Sequence, residues 1–447
     1  MIAALAARLA FWRARVAKAL PEPRARALLA ALCTLLALDV RWHFVRFDHP
    51  LESYVIGDMA IYIERGVALG RVPRTAWDTF TPVGYPAFLA LCDRLAPGDL
   101  AFVGRVQAVL GALTAGGSAL LAMRVQGGMI AGALAGVATA LYFPLVLYSG
   151  LALSETLCAF LLISFVLLLT STARAERARA VVAGLALGAV IIVRPSFIVL
   201  LPLLAVLALQ RFSLHRPVRL ALSGALLLLL PVAIHTSLLL GRPALVASNG
   251  GVNFMLAHSE CRSVRSQVAG GVVEVTSHYN RAHFTETCLV AGPLTDEQPL
   301  YAAGLREIAT HPARALRAAD AFAEGLGWMP RRPWPDQPFW PGSMIDEDEV
   351  WAWSNAYLPA FLLPAVAHAA ATLRGERRLR GAARHAAAIA WLTLASVFIV
   401  LFVFCGNPRV RVSSDPLAIA LAGAAFAALS GWVLRLGAGL RARGESR

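Results

Sequence analysis

Long apolar stretches recur along this chain from end to end. A helix that crosses the hydrocarbon core of a bilayer needs about 20 mostly apolar residues. On that measure the pattern predicts ten spans, at 27–45, 100–123, 129–148, 152–171, 180–193, 195–210, 219–240, 351–373, 386–404 and 417–436. The fifth and sixth are short and are separated only by Arg194-Pro195, where the proline ring ends or kinks a helix. The first carries Asp39 and Arg41 inside it. Residues 42–99 break the pattern with short amphipathic pieces and Pro and Gly interruptions, and 241–350 reads as a compact cover of short helices and loops. The expected fold is an all-α polytopic membrane protein of about ten transmembrane helices. Its parts are a basic amphipathic N-terminus (1–26), a transmembrane module that includes the first outer loop (27–240), an outer loop region (241–350), C-terminal helices (351–436) and a tail (437–447).

Composition agrees with that pattern. Of 447 residues, 58% are hydrophobic and 15% charged, whereas soluble domains carry roughly 25% charge. The mean hydropathy is +0.63. The start is interrupted by Arg8, Arg13, Arg15 and Lys18, which does not suit a secretory signal; an interfacial helix on the cytoplasmic leaflet fits better. Short cytoplasmic loops are enriched in Arg and Lys. With both termini inside, the inner segments and adjoining span ends hold 22 Arg/Lys and 4 acids, while the outer segments hold 17 Arg and 22 acids. The net charge of +14 is therefore a topology signal and does not call for nucleic acid. The protein is expected in a bacterial inner membrane with its chemistry facing the periplasm.

Of six cysteines, Cys33, Cys158 and Cys405 fall in spans and Cys92 near the outer face, while Cys261 and Cys288 share the large outer segment. That compartment permits disulfides, and the sequence leaves the Cys261–Cys288 pairing open. No pair has the C-x-x-C spacing of a structural zinc site. The stretch 328–342, rich in Trp, Pro and Arg, suits an interfacial aromatic belt, with a sugar-stacking surface as the alternative.

Candidate chemistry gathers at the outer ends of the spans. In Gly57-Asp58-Met59-Ala60-Ile61-Tyr62, Asp58 and Tyr62 share a face if the stretch is helical. A carboxylate among apolar neighbours at a membrane surface is a candidate general base; an ordinary helix-capping Asp is the other reading. Thr81-Pro82-Val83-Gly84-Tyr85-Pro86 is a rigid turn. Ser154-Glu155 follows Tyr148-Ser149-Gly150 at the outer end of the fourth span, where Glu155 is either functional or simply in reach of water. Asn407-Pro408-Arg409-Val410-Arg411, followed by Asp415-Pro416, sets two arginines just outside the bilayer, where they can grip a lipid phosphate. Arg194 is a further phosphate partner or a structural ion pair.

The order of these elements resembles the GT-C superfamily of glycosyltransferases, in particular its protein O-mannosyltransferase and aminoarabinose-transferase-like branch. The match is carried by the Gly57–Tyr62 and Pro82–Pro86 motifs, by Asn249-Gly250-Gly251-Val252-Asn253-Phe254, by His311-Pro312 and by Arg409-Val410-Arg411 with Asp415-Pro416. It departs at Met59, where many relatives have Glu, and at Val410, where relatives have Tyr. The resemblance implies inverting transfer of a sugar from a polyprenyl-phosphate donor to a hydroxyl of a glycan, lipid or protein. Asp58 and Glu155 are then the catalytic candidates, with Tyr62, Tyr85, Arg194, Asn253, His258, Arg409 and Arg411 binding substrate. No metal ligands are assigned, and the sequence leaves a divalent cation open. A transporter or flippase of lipid-linked saccharides is the alternative; such folds are built on repeats with midplane sites, and no internal repeat is visible here.

Overall fold

A computed structural model describes residues 22–55, 57–126, 128–209, 215–268, 271–276, 284–327, 347–374, 379, 381–404 and 408–444. The expected interfacial helix in 1–26 and the aromatic stretch 328–342 lie largely outside the described residues, as do Cys405 and Asn407. In chain order the helices are α1 (Glu22–His43), α2 (Asp58–Ala68), α3 (Gly84–Leu95), α4 (Leu100–Gln126), α5 (Met129–Leu141), α6 (Phe143–Leu147), α7 (Glu155–Leu169), α8 (Glu176–Val193), α9 (Leu200–Leu209) and α10 (His215–Leu240). After them come α11 (Gly250–His258), strands β1 (Ser263–Val268), β2 (Gly271–Thr276) and β3 (Thr287–Val290), then α12 (Glu297–Thr310) and α13 (Ala315–Gly325). The last five are α14 (Glu347–Tyr357), α15 (Leu363–Leu373), α16 (Gly381–Val403), α17 (Pro408–Val412) and α18 (Asp415–Gly444).

The protein is a mostly helical membrane protein. Among the described residues, five helices are long and apolar enough to cross a bilayer: Glu22–Ser53, Leu100–Gln126, His215–Leu240, Ala352–Leu373 and Gly381–Val403. A sixth is added if α5 and the piece Phe143–Gly150, bent by 57°, count as one span. The expected spans at 152–171, 195–210 and 417–436 fall on apolar helices that are shorter in their described parts, and the one at 180–193 falls on α8, which begins with Glu176, Arg177 and Arg179. Among the described residues, length and composition thus single out five or six of the ten expected spans. Leu226, Leu227, Leu230, Ile234 and Leu238 leave one side of α10 exposed and apolar, as a lipid-facing helix requires.

Two polar residues in the spans have structural explanations. Arg41, only 1% exposed, donates from Nη1 to Ala140 O and from Nη2 to Thr139 O, both at 3.0 Å. These are orphan carbonyls at the end of α5, where Tyr142 breaks the helix and Pro144 starts α6, and a cation at a helix C-terminus is favoured. Gln107 in α4 is fully buried and donates to Ser149 O (3.2 Å) and Leu151 O (2.8 Å), fixing the turn that leads to Glu155.

The 241–350 region corrects the all-α expectation. It contains a three-stranded sheet of order β2-β1-β3, antiparallel between β1 and β2 from Ser263↔Thr276 to Val268↔Gly271 and parallel between β1 and β3 from Ser263↔Thr287. Val264 and Val268 in β1 and a Val-rich β2 favour a pleated, half-buried surface. Cys261 and Cys288 form a disulfide across this unit. Val252, Met255, Leu256, Val264, Leu294 and Leu300 make its core, and Phe80 of the first loop packs against it. Ser248 N donates to Thr79 O at 2.9 Å, which ties the same loop to the chain entering α11.

Candidate active site

Four of the expected residues come together, from four separate parts of the chain. Asp58 is the first residue of α2, and Gly57 before it has φ +52°, a conformation that glycine adopts without a Cβ penalty. At that position the helix dipole favours an anion. Glu155 is likewise the first residue of α7. Arg194 closes α8 in extended conformation (φ −140°, ψ 97°), as the following Pro195 demands. Arg409 sits on the five-residue α17.

Arg409 joins the two carboxylates. Its Nε donates to Glu155 Oε1, and its Nη1 donates to Asp58 Oδ2 at 2.7 Å. Arg194 Nη1 lies 2.9 Å from the same Glu155 oxygen. The order is Asp58, Arg409, Glu155, Arg194, two anions alternating with two cations. Side-chain exposure is 60% for Asp58, 19% for Arg409, 13% for Arg194 and 0% for Glu155. Asp58 is thus at the rim and Glu155 at the floor, where a buried charge needs paired partners. Burial alone would lower the Arg409 pKa, but the Glu155 and Asp58 carboxylates carry it well above the ordinary arginine value. Of the two sequence-based readings of Arg194, the ion pair is present, and its partner is Glu155.

Tyr62 lies half-buried on α2, one helical turn after Asp58, and meets Tyr85 edge-on with ring centroids 5.2 Å apart. Burial pushes its phenol pKa up, so it stays a neutral hydrogen-bonding group beside the charges. Tyr85 is fully buried and donates to Gln107 Oε1 at 3.0 Å. This places it in the support behind Tyr62 rather than on a substrate-facing surface. Gly84 explains the rigid turn: a Cβ there would come within 2.6 Å of Val193 N and 2.7 Å of Ile192 C. The start of α3 therefore rests directly on the backbone that presents Arg194.

The paired-arginine expectation needs correction. Arg411 is completely buried and directed elsewhere. It donates to Asp415 Oδ2 (2.8 Å), Ser354 O (2.7 Å) and Gly325 O (2.8 Å), and its guanidinium lies 3.8 Å from the centre of the Tyr357 ring. On a helix, neighbours two apart are about 200° apart in azimuth, so Arg409 and Arg411 do not form one clamp. Arg411 instead ties α13, α14 and α18 to the short helix that carries Arg409. The structure also does not bring Asn253 or His258 to this group. Asn253 is exposed on α11, and His258 Nε2 faces Val403 O at 3.0 Å.

Two buried residues absent from the sequence-based set support the site. Tyr148 lies within the electrostatic reach of Glu155, Arg409 and Arg194, and Gln107 fixes the turn beside it. Tyr148 carried a signal, its place just before Glu155, and Gln107 carried another, an isolated amide inside an apolar span. Between Asp58 and Glu155 the Arg409 guanidinium bridges the two carboxylates. Among the described residues no three His, Cys, Asp or Glu side chains gather as a ligand set.

The oligosaccharyltransferase of Archaeoglobus fulgidus in its apo form matches 93% of the chain with a TM-score of 0.50 and 11% identity. The chain has the GT-C fold. It spans 52% of that protein, about half its length. The same oligosaccharyltransferase tethered with an acceptor peptide containing the NVT sequon matches 90% of the chain and 49% of its own, with a TM-score of 0.49 and 12% identity. ArnT from Cupriavidus metallidurans bound to undecaprenyl phosphate matches 88% of the chain and 76% of its own, with a TM-score of 0.39 and 16% identity. At these identities the likeness is one of fold. No family model and no curated protein matches the sequence.

Proposed function

We propose that this GT-C-fold chain is an inverting membrane glycosyltransferase that moves a sugar from a polyprenyl-phosphate donor to an acceptor hydroxyl. The observation that carries the reading is the rim-to-floor series Asp58–Arg409–Glu155–Arg194, which places a half-exposed carboxylate against a guanidinium at the end of several spans. In the reaction the acceptor oxygen bonds to the anomeric carbon, and the bond from that carbon to the phosphate oxygen breaks with its electron pair on the phosphate. The hydroxyl proton passes to Asp58 as positive charge develops on the attacking oxygen. Arg409 and Arg194 oppose the charge gained by the leaving phosphate, where preorganised donors act most strongly. Glu155 holds both arginines in place from below, and Tyr62 orients the acceptor beside Asp58. Arg411 acts through structure, by fixing α17.

Several features support a site on the outer face of a bacterial inner membrane. The charge partition drawn on the ten-span pattern favours 241–350 outside, and a Cys261–Cys288 disulfide suits an oxidising compartment. The polyprenyl tail stays in the bilayer while the 241–350 unit covers the sugar. Mass spectrometry of envelope glycans and lipids from a strain lacking the chain tests the reading. One sugar residue is expected to be missing from one acceptor, with its lipid-linked donor accumulated. The same missing sugar, with its lipid-linked donor confined to the inner leaflet, would instead identify a flippase.

A further inference from the structure

Arg409 holds two carboxylates of very different burial. Its Nε is committed to Glu155, which is wholly buried and also faces Arg194; its Nη1 is given to Asp58, whose side chain is 60% exposed. The two contacts are not equally easy to give up. Removing the cation from a buried carboxylate strands a charge in low dielectric. An ion pair open to water on one side is far easier to give up, because water competes for the exposed partner. A carboxylate that already accepts a charge-assisted hydrogen bond is also a weaker base, since that bond favours its ionised form. In this arrangement, then, the group best placed to take the acceptor proton is restrained by the group best placed to meet the phosphate.

Resting on the glycosyl-transfer reading above, we infer that Arg409 exchanges Asp58 for the donor phosphate, so that donor binding is what releases Asp58 to act as the base. A guanidinium presents five N–H donors in a fixed plane. The edge bonded to Glu155 therefore stays in place while the Nη1 end changes partner. No movement of α17 is needed, because Arg411 anchors that helix through Asp415, Ser354 and Gly325. The acceptor meets an active base only in the donor-loaded enzyme. Binding is ordered, and idle abstraction of protons in the empty site is suppressed. The leaving polyprenyl phosphate carries more charge than the donor, so the product holds Arg409 until it departs.

The test is a binding measurement on the full-length chain in detergent, with farnesyl phosphate as the probe. If Asp58 competes with phosphate for Arg409, Asp58→Asn binds the probe about two- to fivefold more tightly, a gain of up to about 1 kcal/mol. In the Arg409→Gln background the same substitution gives no gain, since the competition runs through that guanidinium. Should Arg409→Gln fail to accumulate, Arg409→Lys replaces it; one ammonium keeps Glu155 paired, and the gain shrinks. Unchanged or weaker binding by Asp58→Asn overturns the exchange, and so does an equal gain with and without Arg409, which would show plain repulsion between Asp58 and phosphate. Failure of the underlying reading shows differently: Asp58→Asn would keep sugar transfer, whatever its affinity for the probe.

Discussion

At the residue scale, two arginines that look equivalent in the sequence have separate work. Arg409 faces the half-exposed Asp58, whereas Arg411 is buried against Asp415 and two carbonyls. Arg411→Ala leaves Asp415 buried and unpaired, a loss of about 3–5 kcal/mol. Thermal unfolding in detergent should show it as a large drop in stability. Arg409→Lys keeps a cation over Glu155 but loses the two-armed grip. It should lose most sugar transfer in a membrane assay while melting near the wild type. Equal destabilisation by both changes would contradict the division of labour. Asp58, Glu155, Arg194 and Arg409 stood out in the sequence as ionisable residues in or beside apolar stretches, and the structure brings these four together. The partnership of Arg411 was not legible. Its i, i+2 spacing from Arg409 suggested one clamp only as long as the backbone was taken as extended; α17 turns the two to opposite sides.

At the element scale, the first loop and the 241–350 unit brace the site from two directions. Gly84 lets α3 rest on the end of α8, so Gly84→Val forces bulk into Val193 and Ile192 and displaces Arg194. Overpacking of this kind costs about 1–3 kcal/mol, and it should lower transfer more than Gly98→Val, since a Cβ at Gly98 meets nothing within 4 Å. The control still carries some strain, because Gly98 has φ +71°. The disulfide closes a loop of sequence separation 27, which chain entropy values at about 3.5 kcal/mol. Cys261→Ser with Cys288→Ser should make the 250–300 region sensitive to limited proteolysis while the spanning helices stay protected. An unchanged digestion pattern would show that α11 and α12 hold the unit without it. The sheet escaped sequence reading because β1 and β2 are six residues each and their alternation is too short to outweigh a loop assignment. Parallel pairing of β1 with β3 is a long-range choice that local pattern does not encode.

At the scale of the whole molecule, the apolar pattern located the helices, and five or six of them are long and apolar enough among the described residues to cross a bilayer. Every predicted span lies on helix, but α7 and α9 are short, and α5 bends by 57° into α6 where Tyr142 and Pro144 interrupt it. Hydropathy windows register composition and pass over such breaks. Charge asymmetry predicts the orientation, and reporter fusions test it: a fusion near 300 should be active only outside the cytoplasm and one near 380 only inside. The reverse result would put Asp58 on the wrong face for a periplasmic acceptor. The central claim, that this chain transfers sugar with Asp58 as base, meets its most direct test in one measurement. Envelope glycans from a strain lacking the chain are compared after return of the wild type and of Asp58→Asn, at matched membrane levels. The account predicts that wild type restores the missing sugar and that Asp58→Asn restores about a hundredth of it or less, the range of general-base loss. Restoration by Asp58→Asn at near wild-type levels would contradict it.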